Sequence, residues 1–256
     1  MIYTAFLRSI FRAVYGEPVE GDESPGAGLI LVADGIGGLD LCGTGLKYVV
    51  GAQGVRQRVR IFPWGHGLGR WYADLTRTGR HEKQAETLAR EVRDSLEADP
   101  EAPVHLVGKS GGTGIVIRAL EELPKDSVSS VVLLAPALSP DYDLSKALAA
   151  VRKEMVVFWS PFDVVVLGAG TLLFGTIDRK KSVSAGLVGF KLPGSEERER
   201  FDAYRKLRQV RWNLGMVTSG YLGGHIGPDN PVFLRKYVLP ILTQEPGQSD
   251  SKPDES

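Results

Sequence analysis

The sequence predicts an α/β architecture, a mostly parallel central sheet with helices on both faces. Short apolar runs alternate with helical stretches along most of the chain. The runs are continuously apolar rather than alternating, as in strands covered on both sides. Several of them end in glycine-rich turns. Residues 28–33 form the first such run and residues 59–62 a second, shorter strand. Residues 82–97 read as a helix, with Ala85, Leu88, Ala89, Val92 and Leu96 on one stripe. Residues 103–107 are a strand, followed by a helix over 110–123. A strand over 130–134, a helix over 143–152 and strands over 155–159 and 210–214 come next. Asp229-Asn230-Pro231 opens the last helix, with a capping residue ahead of proline at its first position. In such sheets a ligand site lies beyond the carboxyl ends of the strands, so chemistry is sought just after each run.

Composition bounds the alternatives. The chain has 256 residues, 43% hydrophobic and 24% charged, which excludes a disordered, collagenous or disulfide-framed protein. Thirty-one basic and 31 acidic residues cancel to a net charge of +0, so no nucleic-acid partner is expected. Cys42 is the lone cysteine and there are four histidines, which argues against a disulfide, a cysteine-based zinc cluster or any metal site. Glycine is in excess, 31 residues against a usual share of about 7%. Residues 1–27 read as an amphipathic helix and linker, 28–243 as the folded domain and 244–256 as a disordered tail. Arg8 and Arg12 break the apolar stretch that a cleaved signal requires, and no run spans a membrane. A cytoplasmic location is expected, with a weak membrane-surface contact through residues 1–15 as a second reading of that helix.

The segment after strand 103–107 is Gly108-Lys109-Ser110-Gly111-Gly112. Gly-Lys-Ser occurs in phosphate-binding loops, but that motif requires a glycine where Pro103 stands and a loop where the strand runs straight into Gly108. Gly-x-Ser-x-Gly between a strand and a helix fits a nucleophile elbow, in which a sharp turn presents the serine and tolerates only small neighbours. A serine nucleophile requires a base, and the base an orienting acid, in the chain order Ser, Asp or Glu, His. Asp163, in the turn Ser160-Pro161-Phe162-Asp163 after strand 155–159, is the favoured acid, with Asp141 and Asp143 as rivals. His225, in Gly223-Gly224-His225-Ile226-Gly227 ahead of the last helix, is the favoured base. His105 lies within a strand, His81 reads as a solvated helix start, and His66 precedes the serine. Oxyanion donors are expected from the Gly111 N–H and from the loop Asp34-Gly35-Ile36-Gly37-Gly38, with Ile36 favoured. Gly35, Gly37, His66 and Lys109 are assigned to the pocket.

On these motifs the chain resembles the α/β-hydrolase superfamily over roughly residues 28–242, its Asp34-Gly35-Ile36 standing where lipases have His-Gly-x. The resemblance implies an α/β-hydrolase fold, no cofactor, and a small lid, for which residues 168–208 have suitable length and position. It implies a serine hydrolase, esterase- or lipase-like, acting on a small or lipid-like ester through Ser110, Asp163 and His225. A thioesterase, amidase or peptidase with the same triad is the first alternative. A hydrolase-fold binding protein without catalysis is the second.

Overall fold

The computed structural model describes residues 26–35, 40–65, 78–163, 178, 183–194 and 196–243. Six strands form one sheet: β1 (Leu29–Ala33), β2 (Arg58–Ile61), β3 (Val104–Lys109), β4 (Val128–Leu134), β5 (Val151–Trp159) and β6 (Leu207–Arg211). Their order is β2-β1-β3-β4-β5-β6, and all five pairings are parallel. Helices α1 (Leu41–Ala52), α2 (Thr78–Ala98), α3 (Gly112–Glu121), α4 (Ser145–Ala149), α5 (Ala185–Val188) and α6 (Arg198–Tyr204) connect them. The C-terminal helix runs through Pro231–Phe233, a π-helical stretch Leu234–Val238 and Leu239–Thr243.

Successive strand side chains point to opposite faces, so each continuously apolar strand feeds two cores. Leu29, Leu31 and Ala33 of β1 pack on one side with Ala85, Leu88, Ala89 and Val92 of α2 and with Ile115 and Val116 of α3. Ile30 and Val32 pack on the other with Cys42, Leu46, Val49 and Val50 of α1 and with Phe233, Leu234 and Val238 of the C-terminal helix. The doubly covered sheet expected from the sequence is therefore present.

One helix is added and three local expectations are corrected. Helix α1 was not anticipated, because Gly43, Gly45 and Gly51 dilute its apolar stripe. Two of those glycines let the helix pack closely. A Cβ on Gly43 would lie 2.6 Å from Ile61 Cγ1, and one on Gly45 would lie 2.8 Å from Leu234 Cδ1. The helix expected over 143–152 is shortened to α4, because the backbone from Val151 onward is taken into the β4–β5 ladder, with Val128 opposite Val151. The last strand sits at Leu207–Arg211 rather than 210–214, its end set by the pairing of Arg211 with Trp159. His81 is buried rather than solvated, its ring edge-on to Trp64 with centroids 5.8 Å apart.

Of the stretch expected as a lid, residues 168–177, 179–182 and 195 lie outside the described residues. Its described parts dock on the sheet. Ala185 and Phe190 belong to the core, the Ala185 and Gly186 amides donate to the Leu138 and Pro136 carbonyls, and residues 207–208 open β6. The N-terminal helix expected over 1–15 and the tail 244–256 also lie outside the described residues.

His105 sits inside β3, opposite Ile30 and Ser130, and is buried. Burial first and the Lys153 charge second press its pKa down to about 3. The unfolded chain, with an ordinary histidine pKa near about 6.5, takes up this proton first as pH falls. Stability is lost on that account between the two values. Urea unfolding is therefore expected to show His105→Leu gaining stability relative to the parent as pH drops from about 6.5 toward 3. A difference that stays constant across this window would contradict a neutral, buried His105.

Candidate active site

Strand β3 ends at Lys109, and Ser110 then adopts φ +50°, in the left-handed region that non-glycine residues avoid. Such a residue costs roughly 1–3 kcal/mol unless its surroundings hold it. Here they do. The Ser110 amide donates to the Leu134 carbonyl of β4 at 2.9 Å. Its carbonyl accepts from the Thr113 amide at 3.1 Å and from Thr113 Oγ1 at 2.5 Å. Helix α3 starts two residues later at Gly112. A Cβ on Gly112 would lie 2.1 Å from the Ala33 carbonyl oxygen and 2.4 Å from that of Asp34. The elbow thus presses against the backbone at the end of β1, and only glycine leaves room. A Cβ on Gly35 would lie 3.6 Å from Ser110 Cβ, which sets the loop after β1 beside the serine.

Asp34 fixes this loop. Its carboxylate accepts from the Gly35 amide at 2.9 Å and from the Gly43 amide at 2.8 Å. Gly43 lies in the first turn of α1, where amides lack intrahelical partners. The Asp34 carbonyl also accepts from Trp64 Nε1 at 2.8 Å. Burial raises the Asp34 pKa, opposed by the two amide bonds and by Lys109. The Gly35 N–H is engaged by Asp34. Ile36 and Gly37, the other oxyanion candidates of this loop, and the pocket candidate His66 lie outside the described residues.

After β5 the turn Ser160–Asp163 is held by the Asp163 amide donating to the Ser160 carbonyl at 3.2 Å and the Phe162 amide to Ser160 Oγ at 3.2 Å. Asp163 is buried, and its Oδ2 lies 2.6 Å from His225 Nδ1. A carboxylate accepts only, so the proton sits on Nδ1 and the Nε2 lone pair is left free to act as a base. Burial lowers the His225 pKa, Lys109 lowers it further, and the bond and charge of Asp163 oppose both. The rival Asp143 is exposed and is engaged locally, accepting from the Ser145 amide and hydroxyl.

Lys109 corrects an expectation. Placed in the pocket by sequence, it is instead buried, with its side chain 4% exposed. Strand alternation turns it away from the side on which Ser110 emerges. Its Nζ donates to the His225 carbonyl at 2.8 Å and lies 3.5 Å from Asp229 Oδ2. Asp229 had been read only as part of a helix start. Asn230 does that work, its Oδ1 accepting from the Val232 amide at 2.9 Å. The available signal was two cap-type residues in succession where one suffices.

Among the described residues, no group of three or more His, Cys, Asp and Glu side chains could hold a metal ion. No described helix is long and apolar enough to cross a membrane.

No protein-family model and no curated protein matches the chain. Solved structures are similar at low identity. A Trichoderma reesei cutinase in complex with a phosphonate inhibitor is 16% identical over 73% of this chain and 86% of its own, with a TM-score of 0.44. The Pyrococcus furiosus esterase Pf2001 is 13% identical over 84% and 78%, with a TM-score of 0.46. The Bacillus subtilis carboxylesterase CesB is 11% identical over 88% and 86%, with a TM-score of 0.40.

Gly112→Ala is expected to cost stability at the upper end of the usual overpacking range, about 1–3 kcal/mol, measured by urea unfolding. A variant as stable as the parent would contradict the close approach of elbow and β1. The described residues thus form an α/β fold, a six-stranded parallel sheet covered by helices on both faces, with the strained Ser110 turn after β3 and the Asp163–His225 pair in later loops.

Proposed function

We propose that this protein is a serine hydrolase that cleaves carboxylic esters, with Ser110 as nucleophile, His225 as general base and Asp163 as the acid that orients it. The observation that carries the reading is the 2.6 Å contact of Asp163 Oδ2 with His225 Nδ1, beyond the strand ends where Ser110 is held in a strained turn. His225 Nε2 takes the Ser110 hydroxyl proton as Oγ attacks the substrate carbonyl. The Gly111 N–H and an N–H of the loop after β1, for which Ile36 is favoured, receive the developing oxyanion. His225 then protonates the leaving alkoxide and activates the water that releases the acid.

Apolar side chains favour an ester with an apolar acyl or alcohol group. Phe162, beside Asp163, is 60% exposed, and Leu222 and Ile226, flanking His225, are 72% and 68% exposed. A thioester or amide would use the same groups, and chain-length-graded esters, thioesters and anilides assayed side by side separate these classes.

Ser110→Ala is expected to lower kcat/KM for the best ester by about 10³-fold or more while the circular-dichroism spectrum is unchanged. A folded variant with full activity would exclude the mechanism. Because burial and Lys109 both disfavour protonated His225, the base stays neutral at lower pH than an ordinary histidine. The acid limb of kcat/KM against pH is therefore expected below about 6.5. A limb above that value would contradict the assignment of His225.

A further inference from the structure

Lys109 is bonded along the chain to Ser110, and its ammonium ends on the backbone of His225. One side chain therefore spans the elbow and the histidine loop. The contact is direct, at 2.8 Å to the His225 carbonyl, and nearly shut off from solvent. Asp229 closes the arrangement at 3.5 Å, with its side chain 9% exposed. A buried ammonium without polar partners is costly, and the His225 carbonyl and the Asp229 carboxyl supply them here. The Asp34 carboxylate, which anchors the loop after β1, and the buried Cys42 thiol of α1 also lie within electrostatic reach of Lys109. Lys109 thus sits at the junction of the serine, histidine and β1 loops.

We propose that Lys109, held by Asp229, is a positioning residue for the reaction assigned above. By gripping the His225 carbonyl it fixes the imidazole relative to Ser110, and its charge keeps that imidazole neutral. The proposal rests on the serine-hydrolase reading for its kinetic consequence but not for its electrostatic one. Lys109 touches neither substrate nor Ser110 Oγ in this role. It acts through the histidine backbone and through its charge.

The charged groups facing His225 are Lys109 from the end of β3 and Asp163 from the turn after β5. Those facing Lys109 are Asp229 and Asp34. Asp163 favours the imidazolium and Lys109 opposes it. Removing the cation leaves Asp163 unopposed, so His225 should protonate at higher pH.

Lys109→Met alone would leave the buried Asp229 carboxyl without its partner. The test therefore uses Lys109→Met/Asp229→Asn, which removes both ionisable groups. Its fold is checked by circular dichroism and urea unfolding. Two readouts are taken on the full chain. In ester hydrolysis, kcat is expected to fall about tenfold or more with KM little changed, and the acid limb of the pH profile to move to higher pH. In an NMR titration of the His225 imidazole, which requires no activity, the ring is expected to protonate at higher pH than in the parent. A folded double variant with unchanged kcat, or with an unmoved His225 titration, overturns the proposal. If the parent protein hydrolyses no ester, the hydrolase reading fails, and the NMR titration still decides whether Lys109 sets the state of His225.

Discussion

The structure depends on one steric constraint, the absence of room for a Cβ between the start of α3 and the backbone at the end of β1. Gly112 faces the Ala33 and Asp34 carbonyl oxygens at distances no side-chain carbon could occupy. That approach forces the chain to reverse within one residue after β3, and Ser110 takes the left-handed conformation that makes the reversal. The cost of about 1–3 kcal/mol for such a residue is offset by three hydrogen bonds that tie Ser110 to β4 and to Thr113. Thr113 Oγ1 also accepts from the Ala137 amide, so the turn is braced from the loop after β4 as well. The strain and its bracing leave a serine just beyond the carboxyl end of an interior strand, beside the loop after β1.

A second constraint is electrostatic. Lys109, Asp229 and Asp34 are ionisable side chains buried within electrostatic reach of one another. Burial drives the Asp229 pKa up to about 7 against the opposing pull of Lys109. A well-packed apolar cluster could fill the same volume at no greater cost. The polar one does what an apolar cluster could not. It hydrogen-bonds the histidine loop by its carbonyl, and Asp34 ties the loop after β1 to the first turn of α1. Buried polar contacts thus join the end of β3 to the histidine loop and the loop after β1 to α1, while Phe162, Leu222 and Ile226 are exposed.

Much of this was legible in the sequence because it is written in local pattern. Continuously apolar runs located β1, β3, β4 and β5, since strands covered on both faces cannot alternate. The small residues around Ser110 marked the elbow, since a side chain there collides with backbone. Chain order directed attention to Asp163 and His225, which the fold brings into contact. What escaped was set by tertiary context. Lys109 read as a pocket residue because a strand-end lysine gives no hint of a buried partner 120 residues away in Asp229. Helix α1 was hidden by the glycines that let it pack on Ile61 and Leu234. Among the described residues, the glycines thus serve the crowding at the elbow, the close packing of α1 and turns of positive φ such as those at Gly28 and Gly220. The α4 boundary moved because ladder hydrogen bonds claim the backbone from Val151 onward, against the helical reading of residues 151–152.

The central claim is that Ser110 is an activated nucleophile. Treatment of the full chain with a fluorophosphonate probe, followed by intact-mass measurement and peptide mapping, tests it most directly. The account predicts one adduct per chain, on Ser110, lost when the protein is first denatured. An unmodified Ser110, or a single adduct on another residue, would contradict it.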